Sequence, residues 1–441
     1  MIRFAWAVCA ILLVSPGWAF AATPSLVITN LPAYGSTDPL AGLALNVNPS
    51  ACAVAAYIYV PGYGWVTKPT CAQPLAAIQP DGTWSANITT GGADSNATRI
   101  AAFLVPTNFS QPCVLGASAL PENIYSNALA SFVITRQNPA ANWITFSGYA
   151  WWLKTSAGPV GPGPNYFSDS TNNVWVDTQG WLHLRITNRS NEWQCAEIVS
   201  ARSFGYGSYR FELGFPVDTL DPNVTLGLFT WSDDPAYSDR EIDVECGRWS
   251  NPSDVNNAQF VVQPYNLSNH LLRYRVPTGV TNSTQLFTWQ SNRVDFQSQT
   301  GSYTPNPPFT NLLKSWSFTD ATAVPLRGDE NIRLNLWLVS GVPPASSNEV
   351  EVIIKSFDFV PLGPPPPGNI TAINLSTPGQ SSCNLGLAEQ PDWRYTVESS
   401  VDLVNWTNLT TLLATNLSQT FADTNAARSD VKRFYRTITV P

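Results

Sequence analysis

The sequence predicts an all-β protein, and three observations carry that expectation. Short apolar and aromatic runs alternate with turn formers, and the 441 residues include 36 Pro and 27 Gly. Brief runs bounded by Pro, Gly and Asn are the pattern of sandwiches and barrels. Aromatic residues make up 12% and charged residues only 12%, a composition suited to packed cores and foreign to a disordered chain. One hexapeptide, Glu241-Ile242-Asp243-Val244-Glu245-Cys246, alternates acid and apolar residues without a break. That period of two marks a strand with one buried face.

The first element is an address. Arg3 supplies a positive start, Phe4 to Val14 is apolar, Pro16-Gly17 follows, and Ala19-Phe20-Ala21 fits a small-x-small cleavage site. Residues 1–22 are read as a secretory signal peptide, too short for a spanning helix. No later stretch reaches about 18 uninterrupted apolar residues, so the exported chain is expected to be soluble with no membrane span. Cys9 leaves with the signal, and Cys52, Cys71, Cys113, Cys195, Cys246 and Cys383 remain. An extracellular location allows disulfides, but spacing does not reveal their pairing.

Residues 23–137 are read as a β-sandwich accessory module. Leu26-Val27-Ile28, Ala55 to Val60, Trp84 to Ile88 and Ile100 to Val105 are its strands, with turns at Pro61-Gly62, Gln79-Pro80-Asp81-Gly82 and Gly91-Gly92. Tyr57, Tyr59, Tyr63 and Trp65 share odd parity, so one continuous strand would line them along one face. They form either a sugar-stacking platform or a sandwich core, and the preference of aromatics for strands favours the core. Residues 138–362 hold 11 of the 17 Trp and the acid triplet. Residues 363–370, with four prolines from Pro364 to Pro367, are read as a stiff linker. Residues 371–441 form a small β-rich module, with strands at Tyr395-Thr396-Val397, Leu403 to Trp406 and Phe434 to Ile438. A unit that short buries little core.

Several classes are excluded early. The net charge is −8 and there is no basic tract, which argues against nucleic acid as a partner. The two histidines, His183 and His270, lie 87 positions apart. Neither has a partner at metal-ligand spacing, which argues against a zinc enzyme or a Ser-His-Asp hydrolase.

The acid triplet is the informative feature. Same-face neighbours on a strand lie about 6.6–7 Å apart, and like charges that close destabilise a sheet. A purely structural strand gains nothing from the arrangement. Glycoside hydrolysis does need two carboxyl groups across one bond, one to attack or stabilise the anomeric carbon and one to protonate the leaving oxygen. Sequence spacing alone does not choose between retention and inversion. Asp243, between the two Glu, would raise its neighbours' pKa values and titrate with them as a set.

Glu241-Ile242-Asp243-Val244-Glu245 resembles the Glu-x-Asp-x-Glu signature of glycoside hydrolase family 16, in its lichenase-like form. Cys195-Ala196-Glu197, Ser203 to Tyr209, Gly227 to Trp231, Phe287-Thr288-Trp289 and Asn335-Leu336-Trp337 resemble further lichenase segments in the same order. The similarity covers about Trp143 to Val360. It implies a concanavalin-like β-jelly-roll with the glycan across a concave sheet, flanked by the two β modules. It implies an endo-acting β-1,3/1,4-glucanase working by retaining double displacement, with a polysaccharide as partner and no cofactor. Relatives commonly hold a structural Ca²⁺, but no ligand cluster here identifies one. Position by position, the resemblance makes Glu241 the nucleophile, Glu245 the general acid/base and Asp243 the assistant of Glu241. Glu197 corresponds to a sugar-hydroxyl ligand, Trp231 to a stacking platform, Asn335 with Trp337 to a second polar and stacking pair, and Asn165 to a further polar contact. The chain departs from the pattern at Asp239, where lichenases carry Trp, and at Val261 and Gln263, where they carry sugar-facing Asn and Tyr. Cys246 replaces a usual Phe. If Glu197 and Glu245 both face the cleft, as the resemblance implies, parity puts Cys195 on the cleft side and Cys246 on the core side, so no bridge between them is predicted. A non-catalytic glycan-binding jelly roll is the alternative reading, and transglycosylation a variant of the first.

Overall fold

The computed structural model describes residues 23–234, 237, 240–363, 369–375, 383–389, 393–414, 418–424 and 433–440. The proposed signal peptide, Pro364 to Pro367 and Asp239 lie outside the described residues. The chain is all-β, and its central unit is a jelly-roll sandwich.

In the N-terminal unit, a sheet of Ser25–Asn30, Leu40–Leu45 and Thr83–Ala86 faces a second sheet built around Cys52–Val60 and Arg99–Pro106. Val54, Ala56 and Ile58 pack toward the first sheet, while Ala55 and Tyr57 pack on the opposite side with the helix Glu122–Asn127. A strand buried on both faces explains the nearly unbroken apolar run of Cys52–Val60. The chain reverses at Pro61-Gly62, where Tyr63 N bonds Val60 O at 3.0 Å and Gly62 takes φ 76°. Tyr57, Tyr59, Tyr63 and Trp65 therefore do not share one strand. Tyr57 and Trp65 are buried, Tyr59 packs on Trp65, and Tyr63 is 58% exposed at the turn. The core reading holds: the hairpin pairs Tyr59 with Trp65, so Tyr57, Tyr59 and Trp65 share one packed face and only Tyr63 leaves it.

Cys71 and Cys113 form a disulfide, while Cys52, Cys195, Cys246 and Cys383 are free and buried. Cys195 is in the core, not on the cleft side. Its strand changes partners there, from Thr187↔Gln194 to Ala196↔Leu336, and Tyr166–Phe167 pairs in parallel with Cys195. Simple alternation does not carry through that corner.

The central unit presents six strands that matter for function: β1 (Glu192–Ser200), β2 (Val224–Trp231), β3 (Ile242–Gly247), β4 (Ala258–Val262), β5 (Leu271–Tyr274) and β6 (Asn331–Leu338). Their order across the antiparallel sheet is β5-β4-β3-β2-β6-β1. The opposing layer includes Leu182–Arg189, Gly207–Leu213, Ser283–Gln290, Arg293–Thr300, Leu312–Phe318 and Val350–Pro361. Alternation puts Tyr209, Phe211 and Leu213 of one layer against Leu226, Leu228, Leu334 and Leu336 of the other in one shared core, as expected for face-to-face sheets.

The C-terminal unit has two three-stranded sheets, the first beginning at Asn369. Leu403 to Trp406 is a turn, not a strand. Asp402 Oδ1 accepts from Val404 N at 2.9 Å and Asn405 N at 2.8 Å, which takes the donors a ladder would need. The strand starts at Thr407.

Candidate active site

β3 realises the period-two pattern. Ile242, Val244 and Cys246 are fully buried in the shared core. Asp243 and Glu245 alternate with them, Glu241 immediately precedes the strand, and all three acids line a trough of about 530 Å³. Gly227 of β2 lies opposite Glu245. A Cβ there would come within 2.5 Å of Asn335 Oδ1, so glycine lets the polar floor run on beneath the acids.

Neighbouring amides orient two of the acids. Gln259 Nε2 donates to Glu245 Oε2 at 2.6 Å, and Gln263 Nε2 donates to Asp243 Oδ2 at 3.0 Å. Burial is the main cause that pushes the Glu245 carboxyl up to about 7, against the opposing pull of Gln259 and Arg273. Burial, then repulsion from Glu241 and Glu245, holds Asp243 well above the ordinary carboxylate range. At neutral pH the cluster thus keeps protons that isolated carboxyls would have lost.

Beyond β2 the floor carries a charge network. Glu197 is buried, with Lys154 Nζ at 2.9 Å and Asn335 Nδ2 at 3.2 Å from Oε2, and Arg333 Nη1 at 3.1 Å from Oε1. Arg333 Nη2 also reaches Asp233 Oδ1 at 2.5 Å. Glu197 thus serves three donors of its own chain. Asn335 Oδ1 and Arg333 Nε are buried without a hydrogen-bond partner. A buried polar atom left unpaired carries a desolvation cost. Glu197→Gln would leave Lys154 and Arg333 short of charge. We expect a loss of about 3–5 kcal/mol, read as a lower urea midpoint.

Trp231 and Trp337 line the same trough. Asn165 does not. Its Nδ2 donates to Pro162 O and Leu338 O, both at 2.8 Å, and it ties a loop to the end of β6. The structure thus gathers Glu241, Asp243, Glu245, Glu197, Trp231, Asn335 and Trp337 and leaves Asn165 apart. Sequence reasoning missed Arg333, Lys154, Asp233 and Gln259. Arg333 and Gln259 were open to discovery by parity, because Arg333-x-Asn335-x-Trp337 and Gln259-x-Val261-x-Gln263 alternate with buried residues. Lys154 and Asp233 lie outside the strands and carry no such signal.

No family model matches this chain, and no curated protein matches it. Solved structures do. A Bacillus licheniformis beta-glucanase is 21% identical, with 51% of this chain and 99% of that one covered and a TM-score of 0.38. A Bacteroides ovatus GH16 protein from a mixed linkage glucan locus, in complex with a product, is 14% identical over 50% and 97%, with a TM-score of 0.38. A pseudo beta-1,3-glucanase of Mycobacterium tuberculosis is 18% identical over 46% and 88%, with a TM-score of 0.36. Likenesses this distant establish no family for the chain.

Proposed function

We propose that this chain is an exported, endo-acting glycoside hydrolase that cleaves β-1,3/1,4-glucan-type polysaccharide with retention. The observation that carries this reading is the meeting of Glu241, Asp243 and Glu245 on the floor of one trough that Trp231 and Trp337 also line. A sugar's C–H face against indole buries apolar surface while its hydroxyls remain free for hydrogen bonds. The acids stand within the sheet, with β4 and β5 on one side and β2, β6 and β1 on the other. Endo action rests on the family resemblance.

In the proposed reaction, Glu241 attacks the anomeric carbon while Glu245 gives its proton to the departing glycosidic oxygen. The resulting glycosyl ester on Glu241 is then opened by water, whose proton returns to Glu245. A carboxyl held near 7 is protonated often enough to act as the acid and is basic enough for the second step. Asp243 holds a proton beside the nucleophile. The reaction requires no cofactor. Export rests on the N-terminal leader pattern and is supported by the Cys71–Cys113 disulfide, a bond favoured outside the cytosol.

The test is reducing-end release from lichenan, laminarin and xyloglucan by the parent and Glu241→Gln. The expected result is product from at least one glucan with the parent and none with the variant. Binding without turnover on all three would replace this reading with a glycan-binding one. Products longer than the substrate would point to glycosyl transfer.

A further inference from the structure

We propose that the N-terminal unit is a working part of the trough, with Arg240 as a positioning residue that it clamps against the far side of Glu241. The inference rests on the reading of Glu241 as nucleophile, and it concerns residues outside the lichenase-like segment as well as within it.

Arg240 directly precedes Glu241, and its side chain is 4% exposed. Its guanidinium bonds across the boundary to Glu122 Oε2 of the helix Glu122–Asn127 at 2.6 Å. Nε donates to Leu326 O at 3.0 Å, and Nη1 reaches Asp329 Oδ1 at 3.3 Å. Its Cζ lies over the rings of Tyr237, at 3.7 Å, and Tyr125 of the N-terminal unit, at 4.8 Å. A Cβ at Gly328 would fall 2.3 Å from the guanidinium carbon, so the slot is shaped to this side chain. Asp329 is shared: Arg99 of the N-terminal unit reaches its Oδ2 at 2.9 Å, and Ser232 donates to Oδ1 at 2.7 Å. Burial alone would raise the Asp329 carboxyl, but Arg99, Ser232 and Arg240 together hold it below its usual value.

The two units are also joined by backbone. Thr135 N bonds Ala201 O at 2.6 Å, and Ser203 N bonds Val133 O at 3.0 Å. Tyr237 donates to Leu120 O at 2.8 Å, and Arg327 to Ala128 O at 3.1 Å. A tethered accessory module would not need this set of buried, charge-matched contacts.

Two site residues hang from the clamp. Ser232 follows the platform Trp231 and is held by Asp329. Arg240 precedes Glu241, and its carbonyl accepts from Thr230 Oγ1 at 3.2 Å, which in turn accepts from Ile242 N at 2.9 Å. Ser232, next to the platform, and Arg240, next to the nucleophile, thus both bind one ion cluster that the N-terminal unit completes. A displacement of about 1 Å at a reacting group can cost about 100-fold in rate.

The test uses the full chain with Glu122→Gln, Glu122→Asp, Arg240→Lys and Arg240→Ala. Glu122 is partly exposed, so its variants keep the fold even if Arg240→Ala does not. The expected result is a fall in kcat of about 10- to 100-fold for Glu122→Gln and Arg240→Lys, with KM moved less than threefold and partial recovery in Glu122→Asp. Carbon-13 titration of the Glu241, Asp243 and Glu245 carboxyls, which needs no substrate, is expected to shift in the same variants. Lower melting temperatures with unchanged kcat and unchanged carboxyl titration would overturn the proposal and leave the interface structural. If the parent cleaves no glucan, the titration still decides the positioning role while the hydrolase reading fails separately.

Discussion

Glu241→Gln is expected to lower kcat on any cleaved glucan by about 10⁴-fold or more, as removal of a covalent nucleophile does. The amide keeps the shape of the side chain, so the fold and substrate affinity should persist. Azide makes the assignment specific. With Glu241→Ala and an activated aryl glycoside, azide can fill the vacated space and attack from the same face. A single displacement then gives the inverted glycosyl azide. With Glu245→Ala the glycosyl ester on Glu241 still forms from an activated leaving group, and azide opens it from the opposite face with net retention. Opposite anomers from the two variants, read by proton NMR, would establish the two roles. The same anomer from both would sink the retaining assignment.

For Glu245→Gln we expect losses of about 10²–10⁴-fold on poor leaving groups such as sugar hydroxyls, and a much smaller loss on an aryl glycoside that departs without a proton. In the parent, kcat/KM should decline as pH rises through about 7, where Glu245 gives up its proton, and that limb should vanish in the variant. Stability carries the same signature with a definite sign. Folding raises this carboxyl from 4.5 to about 7. The folded chain therefore binds more protons in that window, and its stability falls as pH rises through it. Above about pH 7 the parent bears the full cost of burying a charge. Glu245→Gln removes it, so the variant should gain on the order of 2 kcal/mol at pH 8 and nothing at pH 4. Urea titrations at the two pH values measure this. A variant equally stable at both, relative to the parent, would mean that Glu245 is solvated and unsuited to act as the acid.

The strand of the acid triplet was readable because its signal is local. Ile242, Val244 and Cys246 could be assigned to a core, and the acids to the other face, from a period of two alone. Asn335 and Trp337 came from the family resemblance, while the same period of two would have placed Arg333 and Gln259. At Tyr57 to Trp65 a turn folded the run back on itself, yet cross-strand pairing kept Tyr57, Tyr59 and Trp65 on one face and only Tyr63 was misplaced. Parity failed at Cys195, where a strand changes partners at a sheet corner. At Leu403 to Trp406 it lost to a single carboxylate, Asp402, that captured the backbone donors.

What composition and alternation settled is therefore the all-β class and the side of β3 on which three carboxylates stand, since both follow from strand geometry within a few residues. They could not reveal that Glu197 is held by Lys154 and Arg333, or that Glu122 reaches Arg240 across 118 positions. Those pairings join charges far apart in the chain, and a salt bridge leaves no periodic trace in sequence. Only once the sheets have packed do such groups come within reach, and the same packing buries Glu245 and raises its carboxyl.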